Sequence, residues 1–359
     1  MKKYRINRIP FSMAMAWILL LFIPHVNGQP GGSVPGLDSM DVYRDLFDRV
    51  EPLHVTLKFD FRAFQRTKQR ENYHDAEMTT IVNDTFRLTH PVRVRSRGNF
   101  RQEYCINPPF FLNIKRSGIE TGDELDEHQR IKVVVPCRNM EKFDDYVLKE
   151  YLVYRLYNIV TPYSFRVRLM RLTIFDTGRD DEVTEEWSFL IEPEELLAAR
   201  NRGREITSDR LSLLIMNPEM MDILGQFQYM IGNGDYSITG RHNLKIIAVA
   251  APGPVGFLPV PYDFDYTGLV NTDYAVPGED LGISTVRERY FLGACRSEEN
   301  YIEAIAHMQA CRDEMVGMIN SFEYLNDDVK SDVLDYLQEY FDAVQRDSFI
   351  SRELDSTCR

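Results

Sequence analysis

Apolar and polar residues alternate through residues 53–61 (LHVTLKFDF), the period-two signature of a half-buried strand. Residues 91–97 (PVRVRSR) alternate in the same way and run into Gly98-Asn99. Residues 110–115 (FFLNIK) and 131–135 (IKVVV) read as further strands, so the first part of the chain predicts a sheet. The period then lengthens. Within residues 146–160, Leu148, Leu152, Leu156 and Ile159 recur at steps of three and four beside a stripe of Val147, Tyr151 and Tyr154, which predicts a largely buried helix. Residues 165–175 and 187–191 read as strands. Residues 193–200 read as a helix opened by proline and acids, and residues 218–231 as a second, apolar helix. Residues 244–250 and 257–260 flank the turn Ala251-Pro252-Gly253-Pro254, a hairpin signal. From residue 300 the pattern is helical, through 322 and again over 327–344.

Strands in the first half and helices in the second predict an α+β chain with a two-lobed layout. The sheet-rich lobe would span residues 51–195, and the helical lobe with the hairpin residues 196–359. Two segments precede them. Lys2, Lys3, Arg5 and Arg8 lead into an apolar run over residues 13–23, broken by Pro24 and closed by Val26-Asn27-Gly28. That is the plan of a secretory signal peptide over residues 1–28. The run is shorter than the ~20 residues a spanning helix requires, so no stable membrane span is expected. Residues 29–50 begin rich in glycine and proline and read as a flexible leader. The expected location is the periplasm or the cell exterior.

Composition narrows the function. A net charge of -13 excludes general nucleic-acid binding, which wants a basic surface. It suits anionic substrates only where a bound cation offsets the field. The five cysteines include no C-x-x-C pair, which argues against a zinc knuckle or a thioredoxin-type site. Export permits disulfides. Cys105 with Cys137 and Cys295 with Cys311 are the local pairs, leaving Cys358, although spacing leaves the connectivity open. Asn83-Asp84-Thr85 is a glycosylation sequon in a eukaryotic host.

The residues with chemistry are concentrated in Gly232-Asn233-Gly234-Asp235, Arg241-His242-Asn243 and Pro261-Tyr262-Asp263-Phe264-Asp265. A hairpin brings its two ends together, so Asp235, Asn243 and Asp263 can converge. An Asn and an Asp offer a hard cation the oxygen ligands it needs, and the remaining Asp can accept a proton from a hydroxyl. His242 reads as a structural hydrogen-bonding residue. Arg93, Arg95 and Arg97 share one strand face, where they either bind phosphate or form a solvated edge.

The run QYMIGNGDYSITGRHNLKII, followed by GFLPVPYDFDYTGLV, resembles the catalytic segment of the spore-coat protein H (CotH) kinase family of atypical, protein-kinase-like enzymes. Arg97-Gly98-Asn99 and Phe189-Leu190-Ile191-Glu192 resemble further elements of that family, and the likeness spans residues 92–269. The resemblance implies a two-lobed protein-kinase-like fold and phosphoryl transfer from ATP, with Mg or Mn, to a hydroxyl of a protein substrate. It implies Asp235 as the catalytic base. Asn243, Asp263 and Asp265 would bind metal, with Asp263-Phe264-Asp265 standing where ordinary kinases carry Asp-Phe-Gly. Lys115 would contact phosphates, Glu150 would pair with that lysine, and Glu192 would be the acidic element between the lobes. Lys132 and Glu141 compete with Lys115 and Glu150 for those roles. The segment departs from ordinary kinases in having no G-x-G-x-x-G loop, no Walker element and no His-Arg-Asp form of the catalytic loop. Two other classes use the same residues: a secreted binding or surface-assembly protein without turnover, and a metal-dependent hydrolase.

Overall fold

Seven strands close into a barrel in the computed structural model, which describes residues 46–81, 87–114, 130–208, 213–249 and 256–359. The strands are β1 (Leu53–Phe59), β2 (His74–Ile81), β3 (Arg87–Ser96), β4 (Phe110–Ile114), β5 (Arg130–Val134), β6 (Val167–Asp176) and β7 (Glu182–Ile191), in the order β1-β2-β3-β4-β5-β7-β6. Parallel pairing of β1 with β6, from Leu53↔Met170 to Phe59↔Asp176, completes the ring. Alternation dictates which residues face inward: Val55, Leu57 and Phe59 of β1, Met78 of β2, Val92 and Val94 of β3, Leu112 of β4 and Leu172 and Ile174 of β6 fill one core. Closure pairs each barrel strand with a neighbour on both sides.

Helix α1 (Phe61–Thr67) caps one end of the barrel, and Phe61 and Phe64 insert beside Phe59. Helix α2 (Phe100–Tyr104) follows β3. Helix α3 (Glu141–Val160) connects β5 to β6 and is buried over most of its length. Its Tyr154, Leu156 and Tyr157 share a second core with Leu169 and Phe189 of the barrel and with residues of the later helices. Those helices are α4 (Glu194–Arg200), α5 (Pro218–Met230), α6 (Glu298–Ser321) and α7 (Asp327–Ala343). Side-chain N-caps open three of them, from Asn217, Ser297 and Asn326. A three-stranded sheet, ordered β10-β9-β8, comprises β8 (Gly203–Glu205), β9 (Leu244–Val249) and β10 (Gly256–Pro261).

The two-lobed, protein-kinase-like expectation is therefore corrected. The strands of the first half form a closed barrel rather than an open lobe sheet. The buried α3, which belongs to the first half in sequence, lies in one continuous core with α5, α6 and α7. The described residues cluster as one compact unit. The sequence pattern located most elements to within a few residues but carried no sign of closure, which depends on the β1–β6 pairing across more than a hundred residues.

One cysteine pairing is also corrected. Cys105 joins Cys137, with Cα atoms 4.7 Å apart, but Cys295 joins Cys358 at 4.9 Å. Cys311 is free. It sits within α6, and the chain end returns to Cys295, where Arg359 N donates to Gly293 O at 3.0 Å. Among the described residues no helix is long and apolar enough to cross a membrane. The predicted signal peptide, the sequon, Lys115 and the turn at Ala251–Pro254 all lie outside the described residues.

Candidate functional site

Asp235 is positioned by the turn that ends α5. Gly232 has φ +65°, and a Cβ there would lie 2.1 Å from the Tyr336 hydroxyl, so this close approach requires glycine. The next residue, Asn233, is buried. Its Nδ2 donates to Gln228 Oε1 at 3.0 Å, and its Oδ1 accepts from Asp235 N at 2.8 Å. Thus the Asp235 backbone is fixed from below. Its carboxylate is engaged from two sides: His242 Nε2 lies 2.9 Å from Oδ1, and Asn243 Nδ2 donates to Oδ2 at 3.0 Å and to the Asp235 carbonyl at 2.8 Å. Reciprocal bonds between the Ser237 and His242 backbones, 2.9 and 3.1 Å, close the intervening loop.

The β9–β10 hairpin brings the third residue in. Leu244 pairs with Pro261, and Tyr262 N donates to Asn243 O at 3.0 Å, so Asp263 follows directly on a residue bonded to Asn243. Asn243 and Asp263 both occupy the left-handed region, with φ 53° and 65°. Asn and Asp tolerate that region better than other side chains. Asp263 N donates to the buried Tyr154 hydroxyl of α3 at 2.9 Å. Phe264 is fully buried, its ring 4.7 Å from that of Tyr154 and 6.3 Å from that of Phe227. This ring anchors the two flanking aspartates. Among the described residues no hydrogen bond or ion pair reaches the Asp263 carboxylate. Asp265, in contrast, is held: Tyr274 donates to its Oδ2 at 3.0 Å, and Arg101 of α2 lies at 3.8 Å. Arg101 also faces Glu150 at 3.5 Å and donates to Val135 O at 2.6 Å.

Several acids share this buried environment, which disfavours their charged forms. Burial, then the Asp263 charge, lift Asp265 to about 6, against the opposing pull of Arg101 and Tyr274. Burial and Asp265 hold Glu150 well above the usual carboxylate range despite Arg101. Burial raises Asp235 as well. His242 and Asn243 oppose that rise, and the Asp263 charge adds to it.

The structure brings Asp235, Asn243 and Asp263 together, with Asp265 behind them. Glu150 pairs with Arg101. Lys132 of β5 contacts Glu194 at 2.9 Å and lies 4.9 Å from the centre of the Tyr262 ring, beside Asp263; burial lowers its pKa although Glu194 opposes this. Glu141 is exposed in the first turn of α3. Glu192 is clamped between Arg166 (2.8 Å) and Arg200 (3.0 Å), so its carboxylate is fully engaged. Sequence reasoning missed Arg101, Tyr154 and Tyr274. Arg101 lies two residues past Arg97-Gly98-Asn99, which was the available clue. Both tyrosines fall on aromatic-rich stretches that read as core or loop.

Among the described residues no three His, Cys, Asp or Glu side chains are grouped to hold a metal ion by themselves. A Mg²⁺ site of one carboxylate and one carboxamide, completed by water and phosphate oxygens, does not need three. Asn243 and Asp263 fit that requirement: Asn243 spends its Nδ2 on Asp235, which leaves Oδ1 as an acceptor, and the Asp263 carboxylate is open.

No protein-family model matches the chain, and no curated protein matches it. Among solved structures it is similar to the Helicobacter pylori proinflammatory kinase CtkA, with 10% identity and a TM-score of 0.36 over 66% of this chain and 87% of that one. At that level of likeness the functional weight rests on the site's own geometry.

Proposed function

We propose that this chain is an exported phosphotransferase, with chemistry of the spore-coat protein H kinase type, that transfers the terminal phosphoryl of ATP to a hydroxyl of a protein substrate. The observation that supports it most is the Asp235–Asn243–Asp263 arrangement. One carboxylate is held by an imidazole and a carboxamide, and that carboxamide is tied through the hairpin to a second, open carboxylate.

Asp235 accepts the proton of the acceptor hydroxyl. Its raised pKa makes it a stronger base than a free aspartate, and the bonds from His242 and Asn243 fix the direction of its lone pairs. Asn243 Oδ1 and the Asp263 carboxylate would hold Mg²⁺ or Mn²⁺. The cation would offset the negative charge of the phosphates. Asp265 supports this pair from behind, restrained by Arg101 and Tyr274. Lys115 is proposed to meet the phosphates, and Lys132, against the Tyr262 ring that precedes Asp263, is a second amine near the site.

The test is a thermal-shift titration with ATP and Mn²⁺ on wild type and Asp263→Ala. At about a hundred times Kd, ligand binding stabilises by about 2.7 kcal/mol, so wild type should rise clearly in Tm and the variant should not. Absence of a shift in both proteins would overturn the proposal and favour a binding protein without turnover.

A further inference from the structure

The side of β3–β4–β5 turned away from the barrel core carries Arg93, Arg95, Arg97 and Lys132. The register sets Arg93 opposite Asn113 and Arg95 opposite Phe111, and Phe111 in turn opposite Lys132. The guanidinium carbons of Arg95 and Arg97 lie 5.3 and 5.9 Å from the centre of the Phe111 ring, and those of Arg93 and Arg95 lie 5.1 and 5.2 Å from that of Tyr73. These aromatic faces hold the arginines in a row. Their charges are poorly compensated. Among the described residues Arg95 has an ion pair only with Glu71, at 3.9 Å and largely exposed. Asp75 stands across from Arg93 in register but forms no ion pair with it. Among the described residues the Nε groups of Arg93, Arg95 and Arg97 find no acceptor.

The row leads to the site. Lys132, opposite Phe111 in register, lies 4.9 Å from the centre of the Tyr262 ring, and Tyr262 directly precedes Asp263. We propose that Arg93, Arg95 and Arg97 dock an extended acidic segment of the protein substrate and lead its hydroxyl toward Asp235. The proposal rests on the phosphotransfer reading above. Alternate side chains of an extended peptide recur at about 6.8 Å, the same interval as alternate residues of β3, and the row is about 13 Å long. Acidic residues at every second position therefore match it, and guanidinium forks suit carboxylates. A long nucleic acid would meet the field of a chain with net charge -13.

The experiment uses the full chain and a fluorescent peptide of roughly ten residues, extended enough to span the row, with one serine and glutamate at every second position. Anisotropy is measured with wild type, Arg93→Gln/Arg95→Gln, Arg93→Glu/Arg95→Glu and Asp263→Ala, each shown by its Tm to be folded. Wild type and Asp263→Ala should bind alike. The charge-neutral pair should bind about ten-fold more weakly and the reversed pair more weakly still, with binding falling as salt rises. An alanine-for-glutamate peptide should not bind. Failure of wild type to bind, equal binding by the arginine variants, or tighter binding of a single-stranded RNA oligomer would each overturn the docking proposal. The two readings separate cleanly. A peptide that docks through the arginines but is never phosphorylated refutes transfer alone. A peptide phosphorylated equally by wild type and both arginine variants refutes docking alone.

Discussion

Replacing Arg101 with Met tests the electrostatic frame behind the site. Arg101, Glu150 and Asp265 are 8%, 1% and 5% exposed, so the substitution leaves two buried carboxylates without their cation. Breaking a buried ion pair in this way costs roughly 3–5 kcal/mol. The loss should depend on pH. With Arg101 present, burial and Asp263 already place Asp265 at about 6 in the folded chain, above the ~3.9 of an unfolded aspartate. A raised carboxylate pKa means that the folded state holds the proton more tightly. Its contribution is therefore complete below the unfolded value and is lost as pH rises through about 6. The interval of roughly two units corresponds to about 3 kcal/mol at ~1.4 kcal/mol per unit. Loss of Arg101 pushes Asp265 and Glu150 higher still. Both carboxylates can then be protonated at mildly acidic pH, and the deficit of Arg101→Met should shrink there. Urea melts of both proteins at about pH 5 and about pH 7.5 measure the difference. A deficit equally large at both pH values would refute the reasoning, because a merely steric role for Arg101 has no such dependence.

Other consequences can be measured separately. Phe264→Ala removes a fully buried ring packed on Tyr154 and Phe227. It should cost about 3–5 kcal/mol in chemical denaturation and weaken ATP–Mn²⁺ binding, since both flanking aspartates lose their anchor. Asn243 has φ 53°, so Asn243→Gly keeps the backbone relaxed while Asn243→Ala strains it; Asn243→Ala should be the less stable by about 1 kcal/mol, yet both should lose the nucleotide-dependent rise in Tm. Under non-reducing, denaturing conditions Cys311 alone should be alkylated, as read by peptide mass mapping; labelling of Cys358 would contradict the Cys295–Cys358 bridge. Cys295→Ser/Cys358→Ser opens a link between residues 63 apart and should cost about 4 kcal/mol in the chain-entropy view.

Local pattern was legible where burial is periodic. The alternation in β1, β3 and β4 and the helical stripe in α3 follow from which face meets the core, and each element formed within a few residues of its expected span. Strand β2 was missed because its inward face is His74, Ala76, Met78 and Thr80, of which only Met78 is a large apolar residue. Barrel closure was not legible because it is a long-range pairing. Neither was the Cys295–Cys358 bridge, which depends on where the chain end packs. Within the site, the spacing of Asp235, Asn243 and Asp263 around a hairpin foretold their meeting, since antiparallel pairing brings sequence-distant ends together. The roles expected for Glu150 and Glu192 did not anticipate their partners. Arg101 reaches Glu150 from α2, and Arg166 and Arg200 converge on Glu192 from separate elements, contacts that no local spacing encodes.

The most direct measurement is the intact mass of the chain and a serine-containing acidic peptide after incubation with ATP and Mg²⁺ or Mn²⁺, beside an Asp235→Asn control. The account predicts a peptide heavier by one phosphate with wild type, and a rate at least a hundred-fold lower with Asp235→Asn, in the range a positioned general base contributes. No phosphorylated species with either metal, or free phosphate released without any labelled protein, would contradict it.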